Sequence, residues 1–260
     1  METPSNRFKR ALAANERQIG LWSSSGSAAA VEMLGPAGYD WILLDTEHAP
    51  NELPDIVAQM RVMTGSPAET IVRPAWNDTV LIKRFLDAGA RTLLIPFVQN
   101  EGEAARAVQA MRYPPHGVRG VSVSSRANCY GRLTDYFSRA HDELCLLVQI
   151  ETRSALDRLE AIAAVEGVDG IFIGPSDLSA DLGHLGNPAH TDVQAAMRSA
   201  VERSRAAGKP AGTLAPVEAD ARRYLEWGYT FVAVGADMGL LRKAADELLG
   251  RFRTLGTAAL

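Results

Sequence analysis

The 260-residue sequence has few cysteines, no long apolar run and no excess of positive charge. Its two cysteines, Cys129 and Cys145, cannot build a disulfide framework, and we expect both to be small buried side chains. A run of about 18 apolar residues, which a membrane span needs, is absent, and the first twenty residues lack the apolar core of a signal peptide. The formal net charge of -4 gives no electrostatic case for binding nucleic acid or an anionic membrane. We therefore expect a cytoplasmic protein with neither partner.

Several motifs of catalysis are missing as well. The sequence contains neither G-x-x-x-x-G-K-[ST] nor G-x-G-x-x-G, which are typical of nucleotide-binding loops, and it lacks the G-x-S-x-G elbow of serine hydrolases. Lysine is scarce, and this limits imine chemistry, which needs a lysine at the site. The lysines are Lys9, Lys83, Lys209 and Lys243.

What the sequence does contain is an alternation of short apolar runs with longer amphipathic stretches. Most of the apolar runs are continuous, as expected for parallel strands that are buried on both faces. The predicted strands are residues 19–22, 41–45, 70–73, 92–97, 144–150, 170–173, 211–214 and 231–234. The predicted helices between them are residues 27–34, 53–64, 79–88, 101–111, 153–164, 193–207, 217–227 and 238–252, with another at 133–140.

Eight such units favour a closed (β/α)₈ barrel, a TIM barrel, over an open doubly wound sheet. The length also suits this fold, which takes roughly 250 residues. We expect a single domain spanning residues 1–260, with a helix at residues 6–14 covering the bottom of the barrel. The longest irregular stretch is residues 113–135, and because long loops in compact domains are often functional, we expect it to border the site.

Polar residues follow the predicted strands at their carboxyl ends, where barrel enzymes place their catalytic groups. Asp45, Thr46, Glu47 and His48 follow the second strand, and Arg73 ends the third. The later strands lead into a further set: Gln99, Gln149, Glu151, Ser176 and Asp177. A single acid at a strand end is most often a helix cap, but convergence of this many on one rim predicts an active site.

Two of these acids suggest a metal site. Glu151 and Asp177 end consecutive strands, and adjacent carboxylates repel each other unless a cation or a proton lies between them. Their oxygens suit a hard divalent ion, Mg²⁺, Mn²⁺ or Co²⁺. The four lysines lie in helices or before a strand, away from the predicted rim, so a carbonyl substrate would have to be activated by a metal ion.

The remaining rim residues each have a plainer alternative. Arg73 could hold a carboxylate or a keto oxygen, or it could pair with an acid such as Asp45. His48 could act as a general base, which needs an orienting acceptor; Asp45, Glu47 and Asp87 are the candidates. The turn Gly174-Pro175-Ser176-Asp177 could bind an anion through its backbone N–H groups or could simply cap a short helix.

At these residues the sequence resembles the HpcH/HpaI aldolase family. The motifs that carry the resemblance lie in order between about residues 19 and 237: LLDTEHAPN (43–51), VRP (72–74), LDAGARTLLIPFVQ (86–99), YPPHGVRG (113–120), LVQIET (147–152) and FIGPSDLSADLG (172–183). Thr46 stands where the family usually has Gly, and Ser176 stands where it often has Ala. Neither change removes a needed group.

The resemblance implies a class II, metal-dependent pyruvate aldolase that reversibly cleaves 4-hydroxy-2-oxo acids to pyruvate and an aldehyde. It implies Glu151 and Asp177 as metal ligands and Arg73 as the cation that stabilises the enolate. His48 becomes the base, paired with Asp87. Substrate-binding roles then fall to Gln149, to the turn of Gly174, Pro175 and Ser176, to the rim acid Asp45, and to Trp22 and Leu214. The family also implies a homohexamer, with the C-terminal helix at an interface.

The aldehyde half of the substrate stays open. Specificity would come from loops after the first, fourth and seventh strands and from a neighbouring subunit; the candidates are Trp22, Phe97, Ser122, Ser124, Arg126 and Leu214. Arg126 could meet a distal carboxylate, although a surface arginine is the plainer interpretation. Three alternatives to the aldolase remain: a lyase of citramalyl-CoA or malyl-CoA type, an enzyme that handles phosphoenolpyruvate, and a barrel that binds an oxo acid without catalysis.

Overall fold

Eight parallel strands close into a barrel in the computed structural model, which describes residues 1–255. The strands pair in chain order and β1 also pairs with β8, so the sheet has no free edge. This confirms the predicted (β/α)₈ barrel and excludes the open sheet. The strands are β1 (Gln18–Ser23), β2 (Trp41–Asp45), β3 (Glu69–Arg73), β4 (Thr92–Ile95), β5 (Cys145–Ile150), β6 (Gly170–Ile173), β7 (Ala211–Leu214) and β8 (Phe231–Ala236).

Helices surround the barrel, with extra short ones in the connections. They are α1 (Arg7–Ala13), α2 (Ala28–Leu34), α3 (Leu53–Val62), α4 (Thr79–Asp87), α5 (Glu101–Met111), α6 (Tyr136–Glu143), α7 (Arg153–Asp157), α8 (Leu159–Ala163), α9 (Pro175–Asp181), α10 (Thr191–Ala206), α11 (Glu218–Trp227) and α12 (Asp237–Leu255). None of the helices in the described part of the chain has the length and apolar character that crossing a bilayer requires.

The continuous apolar runs form strands because both of their faces are buried. One face contributes to the layer between barrel and helices, where Ile42, Val72 and Leu93 pack. The other face fills the barrel interior with Trp41, Phe231 and their neighbours. Helix α1 adds Phe8 to that interior, with ring centroids 6.0 Å from Trp41 and 5.7 Å from Phe231. The amino-terminal end of the barrel is therefore filled, which leaves the opposite end for a site.

Three local predictions need correction. The helix expected at residues 153–164 is broken at Arg158, which leaves α-helical geometry and pairs with Glu101. The helix expected at residues 133–140 lies at Tyr136–Glu143. The strand expected at residues 92–97 ends at Ile95, before Pro96, which has no N–H to donate. Of the two cysteines, Cys145 is buried and Cys129 is partly exposed.

The long loop at residues 113–135 lies at the other end of the barrel from where it was expected. Arg126 in this loop donates to the backbone carbonyls of Met60 and Ala88, at 3.4 and 3.0 Å. These carbonyls are at the C-terminal ends of α3 and α4, which run antiparallel to the strands and so end at the amino-terminal face. The prediction that this loop borders the site of its own chain is therefore wrong.

Candidate active site

The predicted rim residues meet at the carboxyl ends of β2, β3 and β5. Asp45 and Arg73 are the last residues of their strands and are register partners in the β2–β3 ladder. Gln149 lies near the end of β5, and Glu151 directly follows that strand. All four are buried, with at most 5% of their surface exposed. Burying charged groups is costly unless they are paired, so each of the buried charges should have a partner nearby.

Arg73 is held by Asp45 in a two-point contact. Arg73 Nε donates to one carboxylate oxygen at 2.8 Å and Nη2 donates to the other at 2.7 Å. The Trp22 ring lies under the guanidinium, 4.7 Å from it, and its Nε1 donates to Asp45 at 3.2 Å. Burial alone would raise the pKa of Asp45, but the hydrogen bonds and charge of Arg73 hold it below its usual value. Arg73 therefore does form the salt bridge to Asp45 that was the plainer alternative for its role.

Arg73 nevertheless keeps donors for a ligand. A guanidinium carries five N–H groups. Two of them go to Asp45, and Nη1 lies 2.8 Å from Glu47 Oε2. The other N–H groups of Nη1 and Nη2 remain for an anionic oxygen. Asp45 therefore orients Arg73 without using up its capacity, which suits a group that stabilises an enolate.

Glu47 is a site residue that the sequence interpretation did not single out. It was placed on the predicted rim and offered as a partner for His48, without a role of its own, and its side chain is mostly buried beside Arg73. Burial raises the pKa of Glu47 to about 7; Asp45 and Asp177 add to the rise, and Arg73 opposes it. The sequence feature that could have identified Glu47 is its position two residues after Asp45, on the loop that leaves β2.

Glu151 is fixed by a side chain and by a backbone amide. Gln149 Nε2 donates to Glu151 Oε2 at 2.6 Å, and the backbone N–H of Phe97 donates to Oε1 at 2.9 Å. Phe97 has a φ of 53°, a left-handed conformation that is unusual for a bulky residue. Burial raises the pKa of Glu151 to about 7, and the charges of Asp177 and Glu47 add to the rise.

Gly174, at the start of the next connection, leaves the room that Glu151 occupies. A Cβ at this glycine would lie 2.6 Å from Glu151 Oε2 and 3.0 Å from Gln149 Nε2. Pro175, Ser176 and Asp177 then form the first turn of α9. Asp177 is exposed, and its charge acts on both Glu151 and Glu47, so it lies near these two acids at the mouth of the barrel.

The donors at this rim fit a divalent cation. Beyond the effect of burial, the charge of Asp177 raises the pKa of both Glu47 and Glu151, and Glu47 raises that of Glu151 further, as expected for carboxylates with no cation between them. Gln149 Oε1 is buried and makes no hydrogen bond. Oxygen ligands of this kind suit Mg²⁺ or Mn²⁺. Glu151 and Asp177 thus stay the predicted ligands, and Gln149, which donates to Glu151 through Nε2, carries an unpartnered oxygen beside them.

His48 and Asp87, expected as a catalytic pair, are not brought together within this chain. The His48 side chain is 64% exposed, and its Nε2 lies 3.9 Å from Glu47 Oε2. Asp87 is the last residue of α4 and accepts a hydrogen bond of 2.8 Å from Arg119. Because α4 ends at the amino-terminal face, Asp87 and His48 lie at opposite ends of the barrel. Within the chain, Glu47 is the acid beside His48.

The expected substrate-facing apolar residues line the floor and the mouth of this rim. Trp22 is buried against Phe172, and Leu214 packs on the same interior cluster. Phe97 lies at the mouth, stacked on the exposed ring of Trp76 with centroids 5.7 Å apart. The candidates Ser122, Ser124 and Arg126 belong to the loop at the amino-terminal face, so they do not contact substrate at the mouth of their own barrel, and a contribution from a neighbouring subunit stays a prediction.

Comparison with known proteins agrees with this geometry. Residues 18–244 match the family model described as HpcH/HpaI aldolase/citrate lyase. Two curated relatives called 5-keto-4-deoxy-D-glucarate aldolase, from Enterobacter sp. (strain 638) and Escherichia coli O6:H1, are 54% identical over 248 residues, covering 95% of this chain and 97% of each relative. The crystal structure of an HpcH/HpaI aldolase/citrate lyase family protein from Burkholderia cenocepacia J2315 is 41% identical with a TM-score of 0.93, and covers 96% of this chain and 100% of that chain.

Proposed function

The chain belongs to the HpcH/HpaI aldolase/citrate lyase family, and we propose that its substrate is a six-carbon 4-hydroxy-2-oxo diacid. It is a carbon–carbon lyase, a class II aldolase that cleaves 4-hydroxy-2-oxo acids to pyruvate and an aldehyde. The curated relatives are named for 5-keto-4-deoxy-D-glucarate. Cleavage of such a diacid would give pyruvate and a three-carbon aldehyde that carries a hydroxyl and a carboxylate.

The observation that carries this proposal is the buried Arg73 between two acids, next to the Glu151 and Gln149 pair. Cleavage of the bond between C3 and C4 leaves an electron pair that moves into the C2 oxygen, so negative charge develops there. The free N–H groups of Arg73 supply fixed donors for that oxygen in a site shielded from water. Donors fixed in advance act mainly on the transition state.

Proton transfer falls to the residues at the mouth. His48 takes the proton from the C4 hydroxyl as the C3–C4 bond breaks and the aldehyde forms, and Glu47 lies beside it to favour the imidazolium. A proton delivered to C3 of the enolate then releases pyruvate. Asp45 and Trp22 hold Arg73 in position through these steps.

Glu151 and Asp177 are the residues that would hold a divalent cation, with the oxygen of Gln149 close by. The ion, when bound, draws electrons from the keto group as a Lewis acid and orients the two substrate oxygens nearest to it. The choice among Mg²⁺, Mn²⁺ and Co²⁺ is open, because carboxylate oxygens accept all three. The turn of Gly174, Pro175 and Ser176 is the proposed contact for the pyruvyl carboxylate.

We also propose that the chain acts as a homohexamer, with α12 at an interface. This helix presents an apolar stripe of Leu241, Leu248 and Phe252, of which Leu241 and Phe252 are 67% exposed. An apolar patch of this kind marks a protein contact on an otherwise polar surface. The cytoplasmic location stays a prediction.

Pyruvate release from two substrates tests the proposed substrate class. With Mg²⁺ present, we expect 5-keto-4-deoxy-D-glucarate to give a kcat/KM at least tenfold above that for 2-keto-3-deoxy-D-gluconate, which lacks the second carboxylate. Pyruvate is followed by reduction with lactate dehydrogenase. Equal rates would refute the diacid preference, and no pyruvate from either compound would refute the proposed substrate class as a whole.

A further inference from the structure

We propose that His184, His190 and Asp192 form a second metal site, which binds a transition-metal ion such as Zn²⁺ and is separate from the barrel mouth. The three residues lie in the connection between α9 and α10. His184 follows α9, while His190 caps α10 and Asp192 is in its first turn. One potential ligand atom from each residue lies within 4.8 Å of the others.

The distances between these atoms suit four-coordinate zinc. His184 Nε2 lies 3.2 Å from Asp192 Oδ2, and His190 Nδ1 lies 3.7 Å from the same oxygen. Ligands held about 2.1 Å from a tetrahedral zinc ion are about 3.4 Å apart. The two measured separations bracket that value. Asp192 is 69% exposed, so a water molecule can take the fourth position.

The donor set also separates this site from the carboxylates at the barrel mouth. Two imidazoles and one carboxylate suit Zn²⁺, Co²⁺ or Ni²⁺, whereas Mg²⁺ prefers oxygen ligands throughout. Magnesium at Glu151 and Asp177 would therefore leave the histidine cluster available to zinc. Because its residues come from the end of α9 and the start of α10, a bound ion would crosslink the two helices.

Binding requires a small local change. The two imidazole rings are stacked with centroids 3.5 Å apart and planes 15° apart, and ring lone pairs lie in the ring plane, so one ring has to turn. His190 Nδ1 also accepts a hydrogen bond of 3.2 Å from the Asp192 N–H. That N–H is exposed in the first turn of α10, where water can replace the lost partner.

Zinc binding measured in the Glu151→Gln background tests the proposal, because that change weakens the site at the barrel mouth. We expect Glu151→Gln protein, stripped with EDTA and held in millimolar Mg²⁺, to bind one equivalent of Zn²⁺ per chain by calorimetry. Adding His184→Phe, which keeps a ring to stack on His190, should abolish that binding. Adding Asp192→Asn should weaken it at least tenfold.

A matched control is His141→Ala, which removes another exposed histidine with an aspartate neighbour, Asp142, at 3.2 Å. This variant should keep the full equivalent of zinc. Zinc should also raise the melting temperature of the Glu151→Gln protein and leave that of Glu151→Gln/His184→Phe unchanged. A ligand raises the melting temperature only of a protein whose folded state binds it. Zinc binding that survives His184→Phe, or its absence from Glu151→Gln, would overturn the proposal without touching the aldolase function, since neither readout uses catalysis.

Discussion

Arg73 contacts two carboxylates and an indole ring at the same time, and this fixes the direction of its remaining N–H groups. A lysine would keep the charge but could not make the two-point contact with Asp45. In the proposed mechanism the guanidinium faces the oxygen that becomes negative, so the side chain should matter more to the transition state than to substrate binding.

We therefore expect Arg73→Lys and Arg73→Ala to lower kcat by roughly 10²-fold or more, the loss seen when a fixed oxyanion donor is removed. The measurement is steady-state pyruvate release. Arg198→Ala is the control, because Arg198 forms an exposed pair with Glu202 on α10. A near-normal kcat for Arg73→Ala would contradict the assigned role.

The Asp45–Arg73 pair also predicts how stability depends on pH. The folded-state pKa of Asp45 lies below its usual value because of Arg73. Such a group stabilises the fold above the unfolded pKa, and that contribution is lost as pH falls through the folded pKa. In EDTA, Asp45→Asn should be less stable than the wild type by on the order of 3 kcal/mol at pH 6.

This difference in unfolding free energy should shrink as the pH falls below about 4, because the wild-type carboxylate then becomes protonated as well. Urea unfolding at pH 6, 4 and 3 measures it for both proteins. A gap that stays constant over this range would show that charge pairing with Arg73 is not what Asp45 contributes.

At the scale of elements, the junction between β6 and α9 shapes the proposed metal site. Gly174 has an ordinary φ of -84°, so only lack of space, and not backbone strain, argues against a side chain there. A methyl group would displace Glu151 or Gln149. We expect Gly174→Ala to weaken Mn²⁺ binding by roughly tenfold or more, as changes beside metal ligands do.

Calorimetric titration of the EDTA-stripped protein with Mn²⁺ measures this loss. Gly239→Ala is the matched control, since a Cβ at Gly239 in α12 meets nothing within 4 Å. It should bind Mn²⁺ as the wild type does. If Gly174→Ala binds equally well, then Glu151 is not a ligand in the position the structure gives it.

The strands and the rim could be predicted because both depend on local sequence. Continuous apolar runs identify buried parallel strands, and residues after those runs must lie on one rim once the barrel closes. Asp45, Arg73, Gln149 and Glu151 were found in this way. Glu47 was placed on the rim but given no role of its own, because its importance comes from burial beside Arg73, which its position two residues after Asp45 suggests but does not establish.

The pairing of His48 with Asp87 stays a prediction, because the two residues do not meet within one subunit. A resemblance places each residue in the chain but does not say which end of the barrel it occupies within one subunit. Asp87 follows a helix that returns to the amino-terminal face, where Arg119 binds it. The location of the long loop at residues 113–135 was predicted wrongly for the same reason, since the length of a loop does not show at which end of the barrel it lies.

At the scale of the whole molecule, a cavity of about 780 Å³ lies at the amino-terminal face, away from the catalytic end. It is lined by Met60, Arg91, Arg126 and Tyr136, among others. Arg73 and Glu151 lie at the opposite end of the barrel, where both are buried. The apolar stripe of α12 is exposed in the isolated chain, which supports the proposed interface.

We expect the double variant Leu241→Glu/Leu248→Glu to dissociate the assembly, because it puts charges into an apolar interface. Sedimentation velocity should show a species of about six chains for the wild type, as the family resemblance implies, and a smaller species for the variant. Lys243→Ala, on the same helix, should leave the wild-type mass unchanged. An unchanged mass for the double variant would remove α12 from the interface.

In the proposed mechanism, carboxylates at the barrel mouth hold a divalent ion that Arg73 complements in aldol cleavage. The test is pyruvate release from a racemic 4-hydroxy-2-oxo diacid by EDTA-stripped protein, with and without Mg²⁺ or Mn²⁺. We expect pyruvate only when an ion is restored, and little from Glu151→Gln under the same conditions. Equal pyruvate release without any ion, or full activity of Glu151→Gln, would contradict it.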